Sequence, residues 1–356
     1  MTGFMDSKFS GMVPYTPGEQ PRDMDRLIKL NTNEMPYPPS EKVKAVLCDE
    51  EGEKLRLYSD PTCSAFIKAV ADYNGLAPEN VFPGNGSDEV LAFLFHGFCE
   101  KGAIFPDISY GFYPVFANMF GVQYREIPLR EDFTVAVEDY GAGEETVFIA
   151  NPNAPTGIAL PLSDIEKLLK SNPKRLVVVD EAYVEFGAES AAKLLGRYDN
   201  LVVTRTFSKS HALAGARIGY ALASEALIAD MNALRFSFNP YNLNRLSILL
   251  GKAAMEDREY FDACRKKVMD SRTYTINALR KLGFNVLDSK SNFIFAGANP
   301  ALDAKPYFDG LRANGILVRY FSAERTKNYV RITIGTQEQM ETLVRVTEAL
   351  LKEAAK

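Results

Sequence analysis

Val202-Val203-Thr204-Arg205-Thr206-Phe207-Ser208-Lys209 reads as an apolar strand that runs into a hydroxyl-rich turn, with a lysine where the strand ends and Arg217 eight residues further on. Ligands of open α/β sheets collect outside the carboxyl ends of the strands. A lysine there can form a Schiff base with an aldehyde, while Thr206, Ser208 and Arg217 hold a phosphate. Ser-Lys pairs are common on solvated loops, so the stretch carries weight only if other strand ends supply partners.

Three do. A short strand at Asn80–Phe82 leads into Pro83-Gly84-Asn85-Gly86-Ser87-Asp88-Glu89 and then an apolar helix. The glycines let backbone N–H groups turn toward an anion, and Ser87 and Asp88 open the helix, whose N-terminus attracts phosphate. As a dinucleotide fingerprint the stretch fails, because Glu89 stands at the third glycine position. Ile149-Ala150-Asn151-Pro152-Asn153-Ala154-Pro155-Thr156-Gly157 follows another strand and is stiffened by two prolines, so Asn153 can donate to a ring oxygen. In Val177-Val178-Val179-Asp180-Glu181-Ala182-Tyr183 a carboxylate ends a buried strand, which is costly unless it is paired. A protonated pyridine nitrogen suits Asp180, and Tyr183 can reach the ring hydroxyl. A metal held by Asp180 and Glu181 is the competing reading, without His or Cys support. Aldehyde, phosphate and pyridine together describe pyridoxal phosphate covalently held by Lys209.

Composition narrows the rest. A chain of 356 residues exceeds the size at which single cores divide, so two domains are expected. A net charge of −5, with no basic run, argues against a nucleic-acid partner. Met1–Gly11 lacks the apolar segment of a signal peptide, and no apolar run approaches the roughly 18 residues of a membrane span. Cys48, Cys63, Cys99 and Cys264 have no CxxC or metal-ligand spacing and read as reduced thiols of a cytoplasmic protein. With only His96 and His211, no metal site is expected; His211 either lines the site or packs structurally.

Residues 1–40 are rich in Pro and Gly and read as an extended arm. Strands alternating with helices over residues 41–255 predict an α/β domain with a mostly parallel sheet. Within it, Ser163 and Glu166 are expected to form a capping box for the helix Asp164–Lys170. Residues 256–356 predict a smaller α+β domain. The long helical stretch Asn242–Leu282 leads into it, and Asn285–Leu287, Phe293–Phe295, Leu317–Arg319 and Tyr329–Thr333 are its strands. A final helix spans Glu338–Glu353.

Taken together, these motifs resemble the fold-type-I, class I/II aminotransferases that use pyridoxal phosphate, and are most similar to their histidinol-phosphate branch. The resemblance runs from Pro14-Tyr15 to Gly335-Thr336. It rests on Asn31-Thr32-Asn33-Glu34, Tyr58-Ser59-Asp60-Pro61, Gly86-Ser87-Asp88-Glu89, the Asn151–Gly157 stretch, Asp180-Glu181-Ala182-Tyr183, Ser208-Lys209, Leu213–Gly219 and Arg331–Thr336. It implies that Lys209 is the Schiff-base lysine and then the acid/base of proton transfer. Asp180 pairs with the ring nitrogen, Asn153 and Tyr183 bond the ring oxygen, and Tyr110 stacks on the ring. Gly86, Ser87, Asp88, Thr206, Ser208 and Arg217 surround the phosphate, joined by Tyr58 from the other subunit of a homodimer. Tyr15, Asn33, Arg319 and Arg331 face the substrate. The implied reaction exchanges the amino group between L-histidinol phosphate and 2-oxoglutarate, a small amino donor and a 2-oxo acid. An aromatic amino acid aminotransferase, a threonine-phosphate decarboxylase and a non-catalytic cofactor-binding regulator remain open. Ala154 stands where many relatives have a second Asn, and Tyr320–Val330 carries no recognisable specificity pattern.

Overall fold

The structure, a computed structural model, describes residues 4–9, 11–21 and 27–355. In chain order its strands begin with β1 (Ile28–Lys29), β2 (Val81–Gly84), β3 (Ala103–Pro106), β4 (Tyr124–Ile127), β5 (Thr146–Ala150) and β6 (Val177–Asp180). They continue with β7 (Leu201–Thr206), β8 (Gly219–Ala223), β9 (Phe293–Gly297), β10 (Ile316–Leu317), β11 (Arg319–Tyr320) and β12 (Tyr329–Thr333).

Apolar residues run without interruption through Val177–Val179 of β6 and Leu201–Val203 of β7 because both faces of their sheet are covered. Val177, Val179, Leu201 and Val203 enter one core, while Val178 and Val202 enter another on the opposite face. The seven strands lie in the order β2-β8-β7-β6-β5-β3-β4. Pairings among β3 to β7 are parallel, and β8 runs antiparallel to both β2 and β7. This is the expected α/β architecture with a mostly parallel sheet. A third core gathers around the antiparallel sheet β11-β12-β9, the helix Arg258–Lys281 and the final helix Gln337–Ala354.

The arm is more than an extended strap. Its end forms β1, which pairs in parallel with β10, and Leu30 O accepts from Thr333 N at 2.9 Å. Other parts of the arm, residues 1–3, 10 and 22–26, lie outside the described residues.

Several local expectations fail for identifiable reasons. Helix Leu162–Ser171 starts one residue before Ser163, behind Pro161, and has no side-chain cap. Glu166 instead meets Arg197 and accepts from the Tyr198 hydroxyl at 2.6 Å. A capping box does form at the final helix, between Thr336 and Gln339. The stretch 242–282 is two helices, Arg245–Glu256 and Arg258–Lys281, parted at Asp257, whose φ of −109° and ψ of 52° are not helical and whose carboxylate meets Lys42 at 3.1 Å. Asn285–Leu287 makes only an isolated bridge, Val286 to Ala296. Leu317–Arg319 is divided between β10 and β11, because Leu317 pairs with the arm and Arg319 with β12.

Candidate active site

With β2 and β7 both antiparallel to β8, the carboxyl ends of β2, β3, β5, β6 and β7 share one edge of the sheet. Asp180 is the last residue of β6 and is buried. The Tyr113 hydroxyl donates to its Oδ2 at 3.1 Å and Thr204 Oγ1 to its Oδ1 at 3.2 Å. Burial outweighs these bonds and lifts its pKa to about 6. Lys209, three residues past β7, turns back over this edge, and its Nζ donates to Thr32 O at 3.1 Å. The Tyr183 ring centroid lies 5.9 Å from that nitrogen. Burial, helped by Arg331 and Arg217 and opposed by Glu34 and Asp88, lowers the amine to about 8. The neutral, nucleophilic form is thereby far more accessible near neutral pH than for an ordinary lysine, although the ammonium form still leads below about pH 8.

Beside it lies an anion cradle. Gly86 precedes the helix Ser87–Gly97 and leaves its first N–H groups without a side-chain cap. Its φ of +80° favours glycine, and a Cβ there would stand 2.7 Å from Arg217 Nη2. Gly219 is held to glycine by approach alone, since its Cβ would lie 2.3 Å from Ser87 N. Arg217 adopts φ +51°, a left-handed conformation that costs about 1–2 kcal/mol in a non-glycine residue. Asn33 and Ala212 share that region at φ +58° and +56°, so three such residues frame one site. Arg217 donates to Asp88 at 3.0 Å, and Tyr110 donates to the other oxygen of Asp88 at 2.6 Å. Thr206 and Ser208 hydroxyls are 3.0 Å apart, with Arg217 Nη1 3.5 Å from Ser208.

Asn153 lies at the same edge, yet its amide hydrogens are already engaged by Ile108 O at 2.9 Å and Thr156 Oγ1 at 3.2 Å. Ser109 donates to its Oδ1 at 2.9 Å. Tyr183 is held between the Phe293 ring, 4.9 Å away edge to face, and Asn33, whose amide donates to its hydroxyl at 3.0 Å.

The opposite wall comes from the arm and the small sheet. Arg319 and Arg331 are register partners across β11 and β12. Like charges set directly opposite repel, and among the described residues neither has a carboxylate partner. Main-chain oxygens of the arm take their place: Asn31 O accepts from Arg331 at 3.0 Å, while Thr16 O and Pro17 O accept from Arg319 at 3.2 and 3.4 Å. Arg331 Nε is buried with no partner among the described residues, as are Asn31 Oδ1 and Asn292 Oδ1. Tyr15 stacks on Phe112 at 4.3 Å, two residues from Tyr110. Tyr58 is the residue that one chain does not bring to the site; it is 81 % exposed and stacks on Tyr241.

The metal reading fails on geometry. Asp180 faces Tyr113 and Thr204, whereas Glu181 faces Arg205 at 3.0 Å and Ser190 at 2.7 Å, so the two carboxylates do not converge. His211 is buried among Tyr73, Phe207 and Phe261. Tyr113, Thr204 and Ser109 join the site, although no sequence motif gives them a part in it. Thr204 had a signal, since it is the parallel-strand neighbour of Asp180; Tyr113 belongs to a helix whose facing only the fold sets.

This is the strand-end constellation of a group-transfer enzyme that holds a phosphate-bearing cofactor beside an activated lysine. The family described as Aminotransferase class I and II matches residues 25–346, and the chain belongs to it. It is 51 % identical over 347 residues to the histidinol-phosphate aminotransferase of Acinetobacter baylyi, covering 96 % of this chain and 95 % of that one. It is 46 % identical over 355 residues to the histidinol-phosphate aminotransferase of Brachyspira hyodysenteriae, covering 99 % and 100 %. The histidinol-phosphate aminotransferase of Sinorhizobium meliloti, solved in complex with pyridoxal-5'-phosphate, superposes with a TM-score of 0.85 over 99 % of this chain and all of that one, at 23 % identity.

Proposed function

We propose that this chain transfers the amino group of L-histidinol phosphate to 2-oxoglutarate, giving imidazole-acetol phosphate and L-glutamate, with pyridoxal phosphate covalently held by Lys209. The observation that carries the substrate class is the Arg319–Arg331 pair, opposed across two strands with no carboxylate partner among the described residues and with Arg331 Nε unsatisfied. Guanidinium forks bind phosphate and carboxylate in two-point fashion, so one pair serves the phosphate of one substrate and the side-chain carboxylate of the other.

The residues present fit the cofactor. The Gly86 cradle with Ser87, Asp88, Thr206, Ser208 and Arg217 suits a phosphate, and the buried carboxyl of Asp180, raised to about 6, suits a cationic ring nitrogen. When bound, pyridoxal phosphate supplies an aldehyde carbon and an electron-withdrawing ring that acidifies the substrate α-carbon. Lys209 would hold that aldehyde through Nζ, and its amine would carry the proton of the substrate α-carbon. Asp180 holds the counter-charge to the ring nitrogen. Tyr183 and Asn153 address the ring oxygen, Asn153 by giving up one of its present bonds, and Tyr110 covers the ring. Asn33 holds Tyr183 and, with Tyr15, lines the substrate side.

The reading takes residues 1–40 as an arm, 41–255 as the cofactor domain and 256–356 as the small domain of a cytoplasmic homodimer. Among the described residues no helix is long and apolar enough to cross a membrane. Leu47, Leu55, Leu57, Tyr58, Phe238 and Tyr241 are exposed apolar side chains, and a cavity of about 510 Å³ lined in part by Leu47, Leu213 and Leu246 opens beside Arg217. A second copy covering this face would bring its Tyr58 to the phosphate.

The test is kcat/KM with 2-oxoglutarate for histidinol phosphate against phenylalanine and tyrosine, with CO2 release from threonine phosphate, which consumes no 2-oxo acid, followed beside it. Histidinol phosphate is expected to lead; a wide margin for any of the others replaces the substrate assignment and leaves the cofactor chemistry standing.

A further inference from the structure

Glu185 is a largely buried carboxylate, its side chain 13 % exposed, that the chemistry above does not use. It lies two residues past Tyr183, in the turn Val184–Phe186. Its Oε1 accepts from the Tyr73 hydroxyl at 3.2 Å. Its Oε2 meets Arg265 Nη1 at 3.3 Å and lies 3.6 Å from His211 Nδ1. Ser210 Oγ is 3.0 Å from the same His211 nitrogen. Arg265 stands on the helix Arg258–Lys281, which packs against the final helix and β9. One side chain therefore joins the turn after Tyr183, the two residues that follow Lys209, and the helix beneath the small sheet.

The surroundings make this junction stiff. The ring of His211 lies within 4.7 Å of the Phe207 centroid and 5.2 Å of the Phe261 centroid. Leu213 N donates to Phe207 O at 3.1 Å and closes the loop that carries Lys209. Burial works against the Glu185 charge, but its polar surroundings hold the carboxyl at about 2; burial lowers His211 in turn to about 4, so near neutral pH the ring is uncharged and the ionised carboxylate is balanced by Arg265 and Arg205. An ionised carboxylate away from water tolerates displacement poorly, because each lost partner leaves a charge uncompensated.

We infer that Glu185 is a positioning residue: by gripping Arg265 and the Ser210-His211 step, it sets where the amine of Lys209 stands relative to Tyr183 and to the arginine-bearing sheet. The inference rests on the lysine–cofactor reading above. It also gives His211 a part, as the packed link between Lys209 and this carboxylate.

The experiment compares wild type, Glu185→Gln, Glu185→Asp and the double variant Glu185→Gln/Arg265→Met, the last removing both members of the buried pair so that no charge is stranded. Cofactor-free protein is mixed with pyridoxal phosphate, and the rate at which Lys209 becomes reducible by borohydride is followed by mass spectrometry of the labelled peptide. Melting temperature and the kcat and KM of the holoenzyme are measured alongside. Misplacing a reacting group by about an ångström costs on the order of 10²-fold. Labelling of Lys209 and kcat are expected to fall toward that extent in Glu185→Gln and in the double variant, with KM little changed and partial rescue in Glu185→Asp. Wild-type labelling rates in either variant that folds, whatever its melting temperature, overturn the inference. No labelling of Lys209 in wild type overturns instead the reading on which it rests.

Discussion

The two walls of the site are built on opposite plans. On the sheet edge the polar side chains around Lys209 are already bonded to one another: Asp180 to Tyr113 and Thr204, Asn153 to Ser109 and Thr156, Asp88 to Tyr110 and Arg217. On the arm and small-sheet wall the arginines bond main-chain oxygens of the arm, and Arg331 keeps a buried donor idle. An unsatisfied buried donor costs about 1–3 kcal/mol. The first wall is preorganised for a resident group. The second holds its cations in reserve for an anion that comes and goes, and arm carbonyls are weak enough competitors to be displaced.

The hardest way to break the comparison is at the lysine. Lys209→Ala should lower kcat by about 10²–10⁴ or more, since it removes both the covalent anchor and the proton carrier. Steady-state rates measure this, together with loss of the bound-cofactor absorbance shift. Asp180→Asn comes next. It keeps the hydrogen bonds of Tyr113 and Thr204 in reach but deletes the charge, and kcat should fall about 10²–10³-fold, as when one preorganised electrostatic partner is lost. A full-rate Asn variant would mean that the buried carboxylate faces no cationic ring.

The second wall should respond differently. Arg331→Lys exchanges a fork for a point charge. Losing charge-assisted hydrogen bonds of about 1.5–3 kcal/mol should raise KM for histidinol phosphate roughly tenfold to a hundredfold, with a smaller change in kcat. Arg319→Lys should act in the same direction but less, because Arg319 is the more exposed partner. If either variant lowered kcat with KM intact, the division of labour between the walls would be wrong. Tyr58 tests where one wall ends. If two chains share their sites through Tyr58, a mixed dimer of Lys209→Ala and Tyr58→Phe chains contains one site with both residues intact. Its activity should exceed that of either parent, by more than the sum of the two; no gain on mixing would place Tyr58 in its own chain's site.

Legibility followed the same boundary. The sheet edge could be read because its residues end or closely follow strands that carry apolar runs, and parallel strands bring their carboxyl ends together by topology alone. Thr204 escaped notice only because nothing in a lone strand names its neighbour, although β6 and β7 place it against Asp180. The arm wall resisted reading for another reason. Arg319 and Arg331 are twelve residues apart, and their opposition depends on the antiparallel register of β11 with β12. The family resemblance, not periodicity, picked them out. Asp257 shows the limit from the other side: a continuous helical pattern breaks where a carboxylate prefers a distant lysine to the helix it interrupts.

The smallest effect concerns the resting state of Lys209. Burial first, then Arg331 and Arg217, disfavour the ammonium form and bring the amine to about 8 in the cofactor-free chain. The neutral amine is the nucleophile, so labelling of Lys209 by pyridoxal phosphate should climb as pH rises through 8 and then level off. Between pH 7 and pH 9 the gain should be about tenfold, whereas a lysine at the ordinary value of about 10.4 would still be climbing steeply at pH 9. Arg331→Met removes one of the charges that lower the amine, and Lys209 should then titrate higher, with its labelling curve displaced to more alkaline pH. An unmoved curve would mean that burial alone tunes the lysine and that the two walls are electrostatically independent. A displaced one would mean that the substrate wall, while its cations wait for an anion, favours the neutral form of the cofactor wall's nucleophile, and that an arriving anion relaxes that hold as it binds.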